Sequence, residues 1–214
     1  DMLCTTKGQV NVSMPGALSI MQENVNQLDE WASKREAFLS KGKKTVQAKM
    51  LDLLGLKGLP DHKIRIEATG HDSMREYEQY KFQLIREGEM PVPCILIMPS
   101  RANADSPIEL RLQEEGKGTY LSEYANFAAA LTEGKILLLA DLRGFGETTD
   151  PAFYTDAKYW NREYRNAMVS MHIGRPIMGQ RVVDILTLLD FCSEHELLKG
   201  HPVKVFANGI YGPA

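Results

Sequence analysis

The segment richest in groups that could do chemistry is Asp141-Leu142-Arg143-Gly144-Phe145-Gly146-Glu147, directly after the apolar run Ile136–Ala140. Gly144 and Gly146 suit a tight turn over the end of a strand, while Asp141 and Arg143 can satisfy loop backbone groups and each other. Gly-Phe-Gly alone suggests a phosphate loop, but neither a third glycine nor Gly-Lys-Ser/Thr follows, so nucleotide binding is not expected. A second turn, Gln113-Glu114-Glu115-Gly116-Lys117-Gly118, offers the carboxylates Glu114 and Glu115. They read either as an acid/base pair or as a solvated turn. Within 151–176, Phe153, Tyr154, Tyr159, Trp160 and Tyr164 stand among charged residues. Those rings could line a pocket and stack on sugars, or simply pack a small helix onto the body. Of the histidines His62, His71, His172, His195 and His201, His172 with Arg175 is the best placed to touch a ligand. No His/Asp/Glu trio has metal-ligand spacing, so neither a metal ion nor a cofactor is expected. Cys4, Cys94 and Cys192 are too scattered for a disulfide scaffold; Cys94 and Cys192 read as core residues.

The elements that must position these groups follow from periodicity. Met21, Val25, Leu28, Ala32 and Leu39 predict a helix over 19–40, and a second helix runs from 43 to 54 and stops at Gly55. Alternation around Ile64 and Ile66 predicts a strand over 62–69. Tyr80, Phe82 and Leu84 mark the next strand, and Gly88 and Pro91 a turn into a third over 92–98. From Ile108 the order becomes strand (108–113), helix (120–131), strand (135–141), helix (176–198), strand (203–207). The helix over 176–198 is expected to bury Val182, Ile185, Leu186, Leu189 and Cys192 on one stripe. Strands alternating with helices behind an antiparallel hairpin predict an α/β fold, a mostly parallel sheet with an antiparallel edge. Two domains are expected: a helical lead-in over 1–60, and a sheet domain over 61–214 with the aromatic insertion at its carboxyl end, where α/β ligand sites lie.

Composition narrows the classes. The chain has 214 residues, 43% hydrophobic and 25% charged, as globular proteins do. Its 25 Lys and Arg against 28 Asp and Glu leave a net charge of −3, which gives no reason to expect nucleic acid or an anionic membrane as partner. The longest apolar runs, 95–98 and 136–140, fall far below the roughly 20 residues of a membrane helix.

In this order of elements, the Asp141–Glu147 turn resembles the Asp-x-Arg-Gly-x-Gly turn of α/β-hydrolases, and within them the acetylxylan-esterase and cephalosporin-deacetylase type of carbohydrate esterase. Thr6-Lys7-Gly8-Gln9-Val10, Pro91–Pro99, Arg181-Val182-Val183-Asp184 and Val203-Lys204-Val205-Phe206 are similar as well. The resemblance implies the N-terminal part of an α/β-hydrolase fold, preceded by two helices. It implies a Gly-x-Ser-x-Gly elbow after strand 203–207, with backbone N–H groups to hold an oxyanion. At that place stands Ala207-Asn208-Gly209-Ile210-Tyr211-Gly212, with Gly209 in the serine's position, and no Ser, Thr or Cys occurs from Val203 to Ala214. Tyr211 has a hydroxyl, but its pKa near 10 and its bulk make it a poor substitute. Asn208, Gly209, Ile210 and Tyr211 therefore form a degenerate elbow without a catalytic residue. Where such hydrolases offer oxyanion donors, this chain places Glu114 and Glu115, whose charge would oppose an oxyanion.

The family's acid and histidine lie beyond the elbow, so none of the five histidines occupies the catalytic position, and these groups are expected after Ala214. Three readings stay open: a non-catalytic module of an esterase-type protein, such as the serine-less second domain of a tandem; a fragment of an active ester hydrolase; and a carbohydrate-binding module. The candidate pocket is Glu114, Glu115, Tyr159, Trp160 and His172, with a carbohydrate ester or polysaccharide fragment as ligand. A periplasmic or secreted location follows from the resemblance alone. Strand 203–207 would be a bare apolar edge, so a missing C-terminal half or a partner chain is expected to cover it. If the rings of 151–176 hold sugars, soluble xylan fragments at millimolar concentration quench Trp160 fluorescence; an unchanged spectrum argues against a sugar site there.

Overall fold

Five successive apolar residues, Ile136–Ala140, have no wet face, and they form the strand on which both sides of the sheet are built. The computed structural model describes residues 2–151, 163–209 and 212. They fall into two units, residues 1–50 and 51–214.

The first unit is helical. A short turn of helix, α1 (Val10–Ser13), precedes α2 (Ile20–Leu39). Ser19 caps α2, its hydroxyl accepting from the Gln22 N–H while the Gln22 side chain accepts from the Ser19 N–H. Val25, Leu28 and Trp31 are exposed, and α2 holds no buried residue. The helix α3 (Lys43–Leu53) follows, and Gly55 closes it with φ +69° as the sequence suggests.

The second unit holds a six-stranded sheet in the order β1-β2-β3-β5-β4-β6. These strands are β1 (Arg65–Ser73), β2 (Tyr77–Ile85), β3 (Val92–Pro99), β4 (Ile108–Leu112), β5 (Ile136–Ala140) and β6 (Val203–Ala207). The ladders β1–β2, β2–β3 and β3–β5 are antiparallel, whereas β5–β4 and β4–β6 are parallel. The sheet is thus mixed, its antiparallel part larger than one edge hairpin. The first strand starts later and runs longer than the predicted 62–69, because a register shift between Ala68 and Gly70 lets pairing continue to Ser73.

Two helices, α4 (Lys117–Ser122) and α5 (Tyr124–Thr132), stand where one over 120–131 was expected. Glu123, with ψ 77°, breaks the helical path between them. The other helices are α6 (Tyr164–His172) and α7 (Ile177–Glu194). On one face of the sheet Leu188, Phe191 and Cys192 of α7 meet Leu84, Leu96, Leu110 and Leu138. On the other face Tyr120, Phe127 and Leu131 cover Ile97, Leu137 and Leu139. Each fully buried leucine contributes about 1.5–3 kcal/mol. Among the described residues no helix is long and apolar enough to cross a membrane.

The buried face of α7 departs from the expected stripe. Val182, Ile185, Leu186 and Leu189 are only half-buried, and Cys192 alone of that set is fully buried. The helix is turned so that Arg181, Asp184, Thr187 and Asp190 also go inside, each paired with a polar group from elsewhere. Arg86 Nε donates to Thr187 Oγ1 (3.0 Å) and Arg86 Nη2 to Asp190 Oδ2 (2.5 Å). His62 Nδ1 meets Asp190 Oδ1 at 2.7 Å, fastening the segment before β1 to α7.

Two outcomes follow. The hydrogen bond and charge of Asp190 raise the His62 pKa above the ordinary imidazole value, whereas burial lowers that of His195. His62 therefore adds stability that is full below the ordinary value and disappears as pH rises through the raised one. Histidine NMR titrations should show the two shifts in opposite directions, with Asp190→Asn moving His62 back down. Separately, Asp141 is 2% exposed and pairs with Lys117, whose side chain is 7% exposed. Asp141→Asn should cost about 3–5 kcal/mol in urea unfolding, because it leaves a buried ammonium without its main partner.

Candidate functional site

The parallel strands β4, β5 and β6 all end on one side of the sheet, and the loops leaving them carry the polar groups singled out from the sequence. Asp141, immediately after β5, holds two of these loops together. Its Oδ1 accepts from the Lys117 backbone N–H (2.6 Å) and its Oδ2 from Lys117 Nζ (2.6 Å) and the Glu147 N–H (2.9 Å). Lys117 Nζ also reaches Glu147 Oε1 at 2.5 Å. Burial lowers the Lys117 pKa, but hydrogen bonds to Asp141 and Glu147 outweigh it and leave the ammonium's pKa raised. Gly146 has φ +53°, and a Cβ there would overlap the Asp141 carboxylate, so the second glycine of Gly-Phe-Gly is required.

Arg143 turns the other way, to α7. Its backbone N–H (3.1 Å), Nε (2.9 Å) and Nη2 (2.5 Å) all reach the Asp184 carboxylate. Its Nη1 donates to Gln180 Oε1 (2.9 Å) and Glu89 Oε2 (3.1 Å). Glu89, in the β2–β3 turn, also takes Arg175 Nη2 at 2.8 Å. Arg181 donates to the Arg143 carbonyl and to Glu163, and its guanidinium lies 4.7 Å over the Phe145 ring. Burial raises the Asp184 carboxyl pKa against the pull of Arg143. The Asp141–Glu147 turn is therefore a structural clamp in which Asp141 and Arg143 are committed inward while Glu147 stays largely exposed.

The turn after β6 has the geometry of a strand leading into a sharp bend. The Asn208 N–H continues the parallel ladder by donating to the Leu112 carbonyl (3.1 Å), and Asn208 Nδ2 donates to Gln113 Oε1 (3.1 Å). Gly209 follows with φ +63°, and its carbonyl accepts from the Gly212 N–H (3.2 Å). Glu114 is half-buried and lies against Gly209, where a Cβ would overlap its Oε2. Glu115, by contrast, is exposed. The structure thus brings Glu114 against Gly209, whereas Glu115 faces solvent.

Ile210 and Tyr211, and the aromatic residues Phe153, Tyr154, Tyr159 and Trp160, lie outside the described residues. His172 ends α6 and is exposed. Arg175, proposed with it as a ligand contact, is engaged by Glu89. Among the described residues no group of three or more His, Cys, Asp or Glu is arranged to hold a metal ion. Lys117 was missed as a site residue; its place four residues after Gln113, in a Gly-Lys-Gly turn at a strand's carboxyl end, was the available signal.

No protein-family model and no curated protein matches the sequence. Solved structures do. One assigned as an acetyl xylan esterase from Bacteroides fragilis is similar with a TM-score of 0.61 at 13% identity, over 76% of this chain and 45% of that one. The glucuronoyl esterase from Solibacter usitatus is similar at 0.56 and 11% identity, over 81% and 53%. Acetyl xylan esterase 1 from Thermoanaerobacterium is similar at 0.50 and 14%, over 75% and 55%. The chain spans about half the length of the solved structures it matches. With strands β4–β6 parallel, a sharp turn at Gly209 and these structural relatives, the chain has an α/β-hydrolase-type fold.

Proposed function

We propose that this chain belongs to a protein related to carbohydrate esterases of the acetylxylan type, and that its own elbow has no nucleophile. The observation that carries the reading is the place of Gly209: it opens the bend directly after β6, at the carboxyl end of the parallel strands, with φ +63°. That is where an α/β-hydrolase presents its serine. A glycine offers no hydroxyl to attack an acyl carbon. The donor side supports the same reading, because the Lys117 N–H is spent on Asp141 and so is not free to meet a developing oxyanion.

A second reading, a portion of an active ester hydrolase whose catalytic residues lie elsewhere, is favoured by the span of the similarity, about half of each matched structure. Both readings share one expectation about β6. Among the described residues it pairs with β4 alone, and Val203 (38%) and Val205 (48%) are exposed beside the fully buried Ile108 and Leu110. In the protein at work, a further strand-forming segment or partner chain covers this edge. The ligand of such a protein is a carbohydrate ester or polysaccharide fragment, and a periplasmic or secreted location goes with it.

Turnover of p-nitrophenyl acetate, with and without a fluorophosphonate, tests the proposal. The 214-residue chain should hydrolyse the ester no faster than buffer, and peptide mapping should find no adduct within 203–214. Inhibitor-sensitive turnover by this chain sinks the first reading. Turnover confined to a longer protein, with the adduct outside 203–214, favours the second.

A further inference from the structure

We infer that Glu114 fills the space a nucleophile's side chain would need, so that Glu114 and Gly209 form one mutually dependent pair. The inference rests on reading 207–212 as the elbow, and concerns what occupies it. An ideal Cβ on Gly209 would overlap Glu114 Oε2, and would also stand 3.1 Å from its carboxyl carbon and 3.3 Å from its Cβ. The overlap is with the tip of Glu114, and its carboxyl carbon and Cβ stand closer than an ordinary contact, so a Cβ here requires the Glu114 side chain to shift. The chain entering this turn is also tied to the one leaving β6: the Leu112 carbonyl accepts from the Asn208 N–H (3.1 Å) and the Gln113 side chain from Asn208 Nδ2 (3.1 Å).

The consequence is both steric and electrostatic. Any side chain at 209 must displace Glu114, and a carboxylate beside the elbow opposes negative charge on a substrate oxygen. Restoring a serine at 209 alone would then meet an occupied, negatively charged position. Glu114 and Gly209 thus constrain one another across the β4–β6 junction, next to the Gln113–Asn208 contact that joins residues 95 apart.

Thermal unfolding of the full-length protein tests this without using activity. Gly209→Ala should lower Tm by several degrees when Glu114 is present, and by less than half as much in a Glu114→Ala background. The strain of an L-residue at φ +63° is common to both backgrounds, so the difference reads the contact itself. Glu114→Gln keeps the shape without the charge and should preserve the full drop. An equal drop in the Glu114 and Glu114→Ala backgrounds, failure of both to fold, or relief by Glu114→Gln as large as by Glu114→Ala overturns the inference. Should the chain prove to be an active esterase, the proposed function fails in the ester assay while the melting comparison still gives its own answer.

Discussion

The carboxylate of Asp141 is the constraint on which the upper side of the sheet depends. It sits at the end of a strand that is buried on both faces, where an isolated charge would be very unfavourable. It is stable there because it accepts from two backbone N–H groups and one ammonium, drawn from the loops after β4 and β5. Those donors fix the course of residues 116–117 and 146–147. They also fix which backbone amides are left for a ligand. The loop after β4 is thereby turned toward its own scaffold, with the Lys117 N–H spent on Asp141.

Much of the sheet was legible because its signal is local. Ile136–Ala140 reads as a doubly covered strand from its own five residues, and Val203–Ala207 was placed with the observed boundaries. Gly55 and Gly146 announced a helix end and a tight turn because glycine is needed where φ is positive. What the pattern could not show is pairing at a distance. Asp184 and Asp190 look like the wet side of an amphipathic helix, yet both go inside because Arg143 and Arg86, 41 and 104 residues away, meet them there. The apolar stripe was therefore placed one step round the helix. Glu114 shows the same limit: nothing near it in the chain distinguishes a carboxylate seated against Gly209 from the exposed one next to it.

The clamp on α7 has a further role for the site. Asp184 holds the start of the loop after β5, and Arg181 holds the carbonyl of Arg143 from the preceding turn of the same helix. Glu89 joins that loop to the β2–β3 turn through Arg143. One helix thus sets the positions of loops from both the antiparallel and the parallel halves of the sheet. Geometry at the carboxyl end is then inherited from the core and does not need to be made by the loops themselves.

The strand order also dictates when each part can form. β1, β2 and β3 are consecutive hairpins that can pair as soon as they are made. β4 sits between β5 and β6, and its contacts with β6 join residues 95 apart. During synthesis the β6 side of β4 stays unpaired while β5, α6 and α7 are completed, and the turn at Gly209 can close on Glu114 only after that delay. Non-local parallel pairing is the slow step in such folds. The antiparallel half is thus expected to act as the early template, and the Glu114–Gly209 contact to be among the last to lock.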